Sequence, residues 1–143
     1  MIDLEIGQQG VTFDLLMKAA RPPLVDAKTY KFVVDGITEG TTGDGRPRWV
    51  VWLRILDDPN YPNTRLPYGV LLPWVDPKTG MWDFKTGSFL LVNLCLGTGV
   101  TFDGDLRKPE VQEHLKDSLL GKMGFMRIGQ RPNRDDPSVL ENT

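Results

Sequence analysis

Between Thr29 and Asp35 the chain alternates: Tyr30, Phe32 and Val34 fall on one side, Thr29, Lys31 and Asp35 on the other. A period of two belongs to a strand with one buried face, and it predicts a first strand here. Glu39 to Gly45 is a run of turn formers and short polar side chains, so an exposed hairpin loop follows. The second predicted strand, Pro47 to Leu56, has Trp49, Val51, Leu53 and Ile55 on one face and Arg48, Val50, Trp52 and Arg54 on the other. Only the second face suits solvent. After a turn from Asp57 to Asn63, Leu66, Tyr68, Val70, Leu72 and Trp74 share one parity. Pro67 and Pro73 make this third strand an edge or a bent one, because each lacks a ladder donor.

The second half reads differently. From Ser88 to Leu96 apolar residues recur at helical spacing from Phe89, with Ser88 as N-cap and Gly97 as stop, although the Leu and Val content also suits a buried strand. Pro109 to Leu120 is a clearer helix: Pro109 suits the first turn, Val111, Leu115 and Leu119 recur every fourth residue, and Gly121 can end it. Gly124 to Gly129 is a further strand with Met126 and Ile128 on one face and Phe125 and Arg127 on the other. Val139-Leu140 can open another. Val11 to Ala20 fits neither period, and Arg21-Pro22-Pro23 breaks the chain after it. The expected organisation is an N-terminal arm over 1–27 and one domain over 28–143. Strand, strand, strand, helix, helix, strand is the order of an OB-fold, a mainly β five-stranded Greek-key barrel with a helical insertion between strands three and four.

Composition narrows the chemistry. One Cys and one His among 143 residues leave no Cys/His cluster for a metal and no intramolecular disulfide. Asp57-Asp58, Asp103 and Asp105 read as turn residues rather than a magnesium site, and neither His114 nor Cys95 has a catalytic partner in sight. No Walker loop, nucleophile elbow or dinucleotide fingerprint is present, so neither an enzyme nor a cofactor is expected. No apolar run approaches the roughly 20 residues of a membrane span, and the acidic start, with a single Cys, points to a reducing cytoplasm.

Net charge is -2, which by itself argues against a polyanion ligand. Segment by segment the balance is a cancellation. Residues 121–134 contain Lys122, Arg127, Arg131 and Arg134 and no carboxylate, a formal charge of +4, while 1–27 sums to -2, 28–74 to +1, 75–120 to -2 and 135–143 to -3. Arg48, Trp52 and Arg54 project from one strand face, and a cation-flanked aromatic on an exposed sheet is what base stacking requires. The alternative is that Trp52 lies under the N-terminal arm. Tyr61 could extend a stacking surface, whereas Tyr68 and Trp74 share the parity of Leu66 and Leu72 and read as core.

Three stretches carry a family resemblance. Leu24-Val25-Asp26-Ala27-Lys28-Thr29-Tyr30-Lys31-Phe32 enters the first strand. Thr41-Thr42-Gly43-Asp44-Gly45-Arg46-Pro47 precedes the second, and Leu119-Leu120-Gly121-Lys122 opens the strand containing Met126-Arg127-Ile128-Gly129. Across residues 22–143 the chain resembles phage-encoded single-stranded DNA-binding proteins of OB-fold type. The resemblance implies an OB barrel that binds single-stranded DNA with little sequence preference, in phage replication or recombination and alongside proteins of those processes, in the host cytoplasm. It also implies a full fifth strand and often an acidic tail, so a sequence ending at Thr143 is expected to be truncated. The Asp-Pro-Lys-Thr-Gly turn and Trp82 depart from the family pattern. The resulting expectation is stacking by Trp52 and Phe125 with phosphate contacts from Lys31, Arg48, Arg54, Lys122 and Arg127. The rivals are a structural or assembly module, such as a virion component, that uses the exposed aromatics as a protein interface, and a carbohydrate-binding surface.

Overall fold

The computed structural model describes residues 25–132 and 140–142. In chain order the elements are β1 (Lys28–Thr41), β2 (Pro47–Leu56), β3 (Arg65–Leu71), β4 (Trp74–Val75), β5 (Trp82–Asp83), α1 (Ser88–Thr98), α2 (Pro109–Leu119), β6 (Met123–Ile128), β7 (Gln130–Pro132) and β8 (Leu140–Asn142). The fold is mainly β. Its centre is a curled antiparallel sheet of order β3-β2-β1-β6, with β4-β5 and β7-β8 as separate two-stranded sheets. The expected fifth barrel strand is not part of this sheet: β8 pairs with β7, not with β3. The expected helical insertion contains two helices and the short β4-β5 pair.

The alternation read from the sequence sets the core. Tyr30, Phe32 and Val34 of β1, Trp49, Val51, Leu53 and Ile55 of β2, and Leu66 and Val70 of β3 are buried. β1 holds this alternation beyond Val34 only through a bulge, where the register with β2 shifts between Val34 and Gly36. The extra residue, Asp35, flips the parity, so Ile37 packs on the core while Gly36, Thr38 and Gly40 join Lys31 and Val33 on the other face. β1 also runs further than expected, through Glu39–Thr41, because the turn closes later. Thr42 N–H donates to the Arg46 carbonyl at 2.9 Å, and the Arg46 N–H donates to Thr42 Oγ1 at 3.1 Å. The Arg46 side chain is buried, donating through Nε to the Leu72 carbonyl at 2.8 Å and lying 3.3 Å from Asp83 Oδ2. It ties the hairpin to the end of β3 and to β5.

Both helices lie on the core face, but α1 departs from expectation in two ways. Gly87, not Ser88, is the N-cap, in a left-handed conformation with no side-chain cap, and the helix runs through Gly97 to a left-handed Gly99. Continuation through Gly97 follows from packing: a Cβ on Gly124 of β6 would lie 2.6 Å from the Gly97 carbonyl oxygen and 2.9 Å from Phe32 Cζ. Gly124 lets helix and strand touch backbone to backbone. Second, α1 buries Leu91 and Leu94, whereas Phe89, Val92 and Leu96, the residues at helical spacing, face outward. A helix apolar on every side carries no periodicity that tells its two faces apart. α2 behaves as expected, burying Leu115 and Leu119.

A second apolar cluster, Val25, Tyr30, Ile55 and Leu66, closes the far end of the sheet. Val25 and Asp26 of the expected arm belong to the folded body: Asp26 N–H donates to Tyr61 Oη at 2.9 Å, and Tyr30 Oη donates to the Asp26 carbonyl at 2.6 Å. Residues 1–24 of the arm, and Arg134, lie outside the described residues. Among the described residues, no helix is long and apolar enough to cross a membrane.

Candidate nucleic-acid interface

With α1 and α2 on one face of the sheet, the opposite face is uncovered among the described residues. Its cross-strand rows follow from the register. Arg65 of β3, Arg54 of β2, Val33 of β1 and Met123 of β6 form one row. Leu56, Lys31 and Phe125 form a second, and Pro67, Trp52 and Gly36 a third. Arg48 lies toward the β1–β2 hairpin, opposite Gly40 and Leu71, and Arg127 lies opposite Thr29 at the other end.

Trp52 is the best-organised member. Its Nε1–H donates to Thr38 Oγ1 at 2.8 Å, fixing the ring edge, and the Arg65 guanidinium lies over the ring, 5.0 Å from its centroid. Asp35 lies between two arginines, 2.7 Å from Arg65 Nε and 3.6 Å from Arg54 Nε. Gly36 leaves the space this cluster needs, since a Cβ there would meet Arg65 Nη2 at 3.2 Å and Trp52 Cδ1 at 3.9 Å. The bulge thus sets the Asp35 carboxylate, which engages Arg54 and Arg65, next to Gly36, which pairs with Trp52.

The remaining expected residues divide. Phe125 is 71% exposed and faces Lys31 directly, and Lys31 Nζ lies 3.6 Å from Asp57 Oδ2. Trp52 and Phe125 share the face without touching: their partners on β1 are ~15 Å apart along the strand, at roughly 3.3 Å per residue. Arg48 and Arg127 are exposed, with no ion pair among the described residues. Lys122 is set apart: it precedes β6 with the parity of Gly124 and Met126, which face the core, and its carbonyl accepts from Val34 N–H at 2.8 Å. It stands at the margin of the sheet.

Tyr61 is not on this surface. It packs edge-on against Tyr30, with ring centroids 5.8 Å apart. Tyr68 is half-buried, its hydroxyl donating to the Leu90 carbonyl at 2.5 Å. Of the loop carboxylates, Asp57, Asp58 and Asp105 are held in ion pairs. Asp58 pairs with Lys28 at 2.7 Å, and this hydrogen bond lowers the Asp58 pKa and raises that of Lys28. The Arg107 guanidinium and N–H hold the Asp105 carboxyl down at about 2. Among the described residues, no three His, Cys, Asp or Glu side chains gather where they could hold a metal ion.

The site contains two residues the sequence reading passed over, Arg65 and Asp35. Arg65 had a visible cue: it opens the third strand on the parity opposite Leu66, the parity of an uncovered face. Asp35 also had one, the parity of Lys31; what the alternation did not show is the bulge that sets it beside Gly36 and between two arginines. The resulting surface carries Lys31, Arg48, Arg54, Arg65 and Arg127 against the carboxylates of Asp35 and Asp57. No family model and no curated protein matches the chain.

Proposed function

We propose that this protein binds single-stranded DNA, with little sequence preference, along the open face of the β3-β2-β1-β6 sheet. The observation that carries the reading is Trp52, anchored through Thr38 and flanked by Arg54 and Arg65 on a face that neither helix covers. Stacking on an aromatic side chain is worth ~1–3 kcal/mol per base and tolerates any base, and the surrounding cations attract phosphates. Trp52 and Phe125 serve as two stacking points, with Lys31, Arg48, Arg54, Arg65 and Arg127 tracking the backbone between and beyond them. Lys122 contacts phosphate only where the strand passes the sheet margin.

An OB-type barrel is the finer reading of the fold. It is supported by the element order and by the pairing of β6 with β1 after the helical insertion. The resemblance to phage single-stranded DNA-binding proteins supplies the role in replication or recombination, and the described parts of its three stretches lead into β1, span the β1–β2 turn and lead into β6. The test is a low-salt anisotropy titration of labelled oligo(dT), competed with unlabelled single strand, duplex DNA and RNA. Binding displaced by single strand and poorly by duplex is expected; no binding at low salt would sink the proposal.

A further inference from the structure

The side of the molecule away from the open sheet face carries an apolar surface of its own. The outer residues of α1, Phe89, Val92 and Leu96, are 62%, 51% and 76% exposed, and Trp82, Phe84 and Phe102 stand beside them, also exposed. Between Trp82, Phe84, Val92, Leu96 and Phe102 lies a hollow of about 640 Å³, floored by Leu91, Val100 and Leu106, with Phe89 outside it. No charged residue occurs from Thr86 to Phe102. At the rim, Arg107 lies 5.2 Å from the Trp82 ring centroid, and its charge is met by Asp105 at 2.5 Å. Isolated exposed apolar residues are ordinary; a contiguous patch around a hollow marks an interaction surface.

We infer that this face is a two-fold interface between two copies of the chain, α1 against α1. Three features select a second copy. The first is area: with full aromatic side chains near 200 Å², the six exposed groups offer on the order of 600 Å² per copy. That is about the apolar share of the ~800 Å² each partner contributes to a standard interface. The second is shape. A two-fold contact requires one patch to be complementary to itself, and this patch has both an exposed ring outside the hollow, Phe89, and the hollow itself. The third is charge: the apposed helices carry none, and the two charged residues that line the hollow, Asp105 and Arg107, are paired with each other.

The pairing leaves the Trp52 and Lys31–Phe125 rows of the open face clear, because α1 packs on the other side of the sheet; the hollow meets the open face only at Leu71, opposite Arg48. It does not rest on the DNA-binding reading, and its test uses no DNA. Sedimentation velocity of the full chain, from low micromolar concentration upward, should show the mass moving from 16.1 kDa toward twice that value. Leu96→Glu and Phe89→Glu, both at side chains already exposed in the single chain, should keep the wild-type circular dichroism and stay at 16.1 kDa throughout. A wild-type chain that stays at the single mass would overturn the inference and leave the face to the N-terminal residues or to another protein. Dimers that survive both substitutions, or growth beyond two copies, would overturn it equally.

Discussion

Asp35 sets how much positive charge the open face presents, because its carboxylate engages Arg54 and Arg65 together. A phosphate must compete with it for both guanidinium groups. Asp35→Asn should therefore tighten oligo(dT) binding several-fold and steepen its salt dependence by about one phosphate contact, readable from anisotropy titrations at several salt concentrations. Weaker binding would mean that Asp35 serves mainly to orient the arginines. Tyr30 illustrates a different residue-level effect. Burial pushes its phenol up to about 12 from the ordinary 10.0. A raised folded-state value means that this contribution to stability is whole below pH 10 and disappears as pH rises toward 12. Urea melts across that window should show stability falling, and Tyr30→Phe should flatten the fall.

At the scale of elements, the join between α1 and β6 is the most constrained. Gly124→Ala would push a methyl group into the Gly97 carbonyl and the Phe32 ring. Overpacking of this kind costs about 1–3 kcal/mol, which chemical denaturation would measure directly. The same join shows why some elements were readable in the sequence and others were not. β2 was readable because a strand with Trp49, Val51, Leu53 and Ile55 on one parity has one way to face a core, and α2 because Leu115 and Leu119 contrast with polar neighbours. The end of α1 was not readable, since Gly97 looks like a stop until a second glycine, distant in sequence, is found beneath it. Nor was its buried side, since Phe89 and Leu96 are as apolar as Leu91 and Leu94. The bulge in β1 was hidden for a related reason: the alternation ends at Val34 and resumes at Ile37 on the other parity, a break that looks like the end of a strand.

For the whole molecule the useful division is between faces. A net charge of -2 describes neither of them. The open sheet face gathers arginines and a lysine around Trp52 and Phe125, while the helical side holds an uncharged apolar patch and pairs such as Lys116 with Glu39 at 2.5 Å. Of the candidate site, Trp52, Arg54, Arg48, Lys31, Phe125 and Arg127 were legible from strand parity alone. Arg65 and Asp35 stand on the same parity; what took the pairing of β2 with β3 and the bulge was their meeting with each other beside Trp52. The segment charge of +4 was a less direct guide, because Lys122 lies at the sheet margin and Arg134 lies outside the described residues. The most direct test of the account is the affinity of wild type and Trp52→Ala for oligo(dT) at two or more salt concentrations. Wild-type affinity should fall with salt by about 0.7 in log–log slope per phosphate contact. Trp52→Ala should bind roughly 5- to 150-fold more weakly with the same slope, because a stacking contact releases no counterions. Equal affinity for the two proteins, or no binding of oligo(dT) by wild type at low salt, would contradict it.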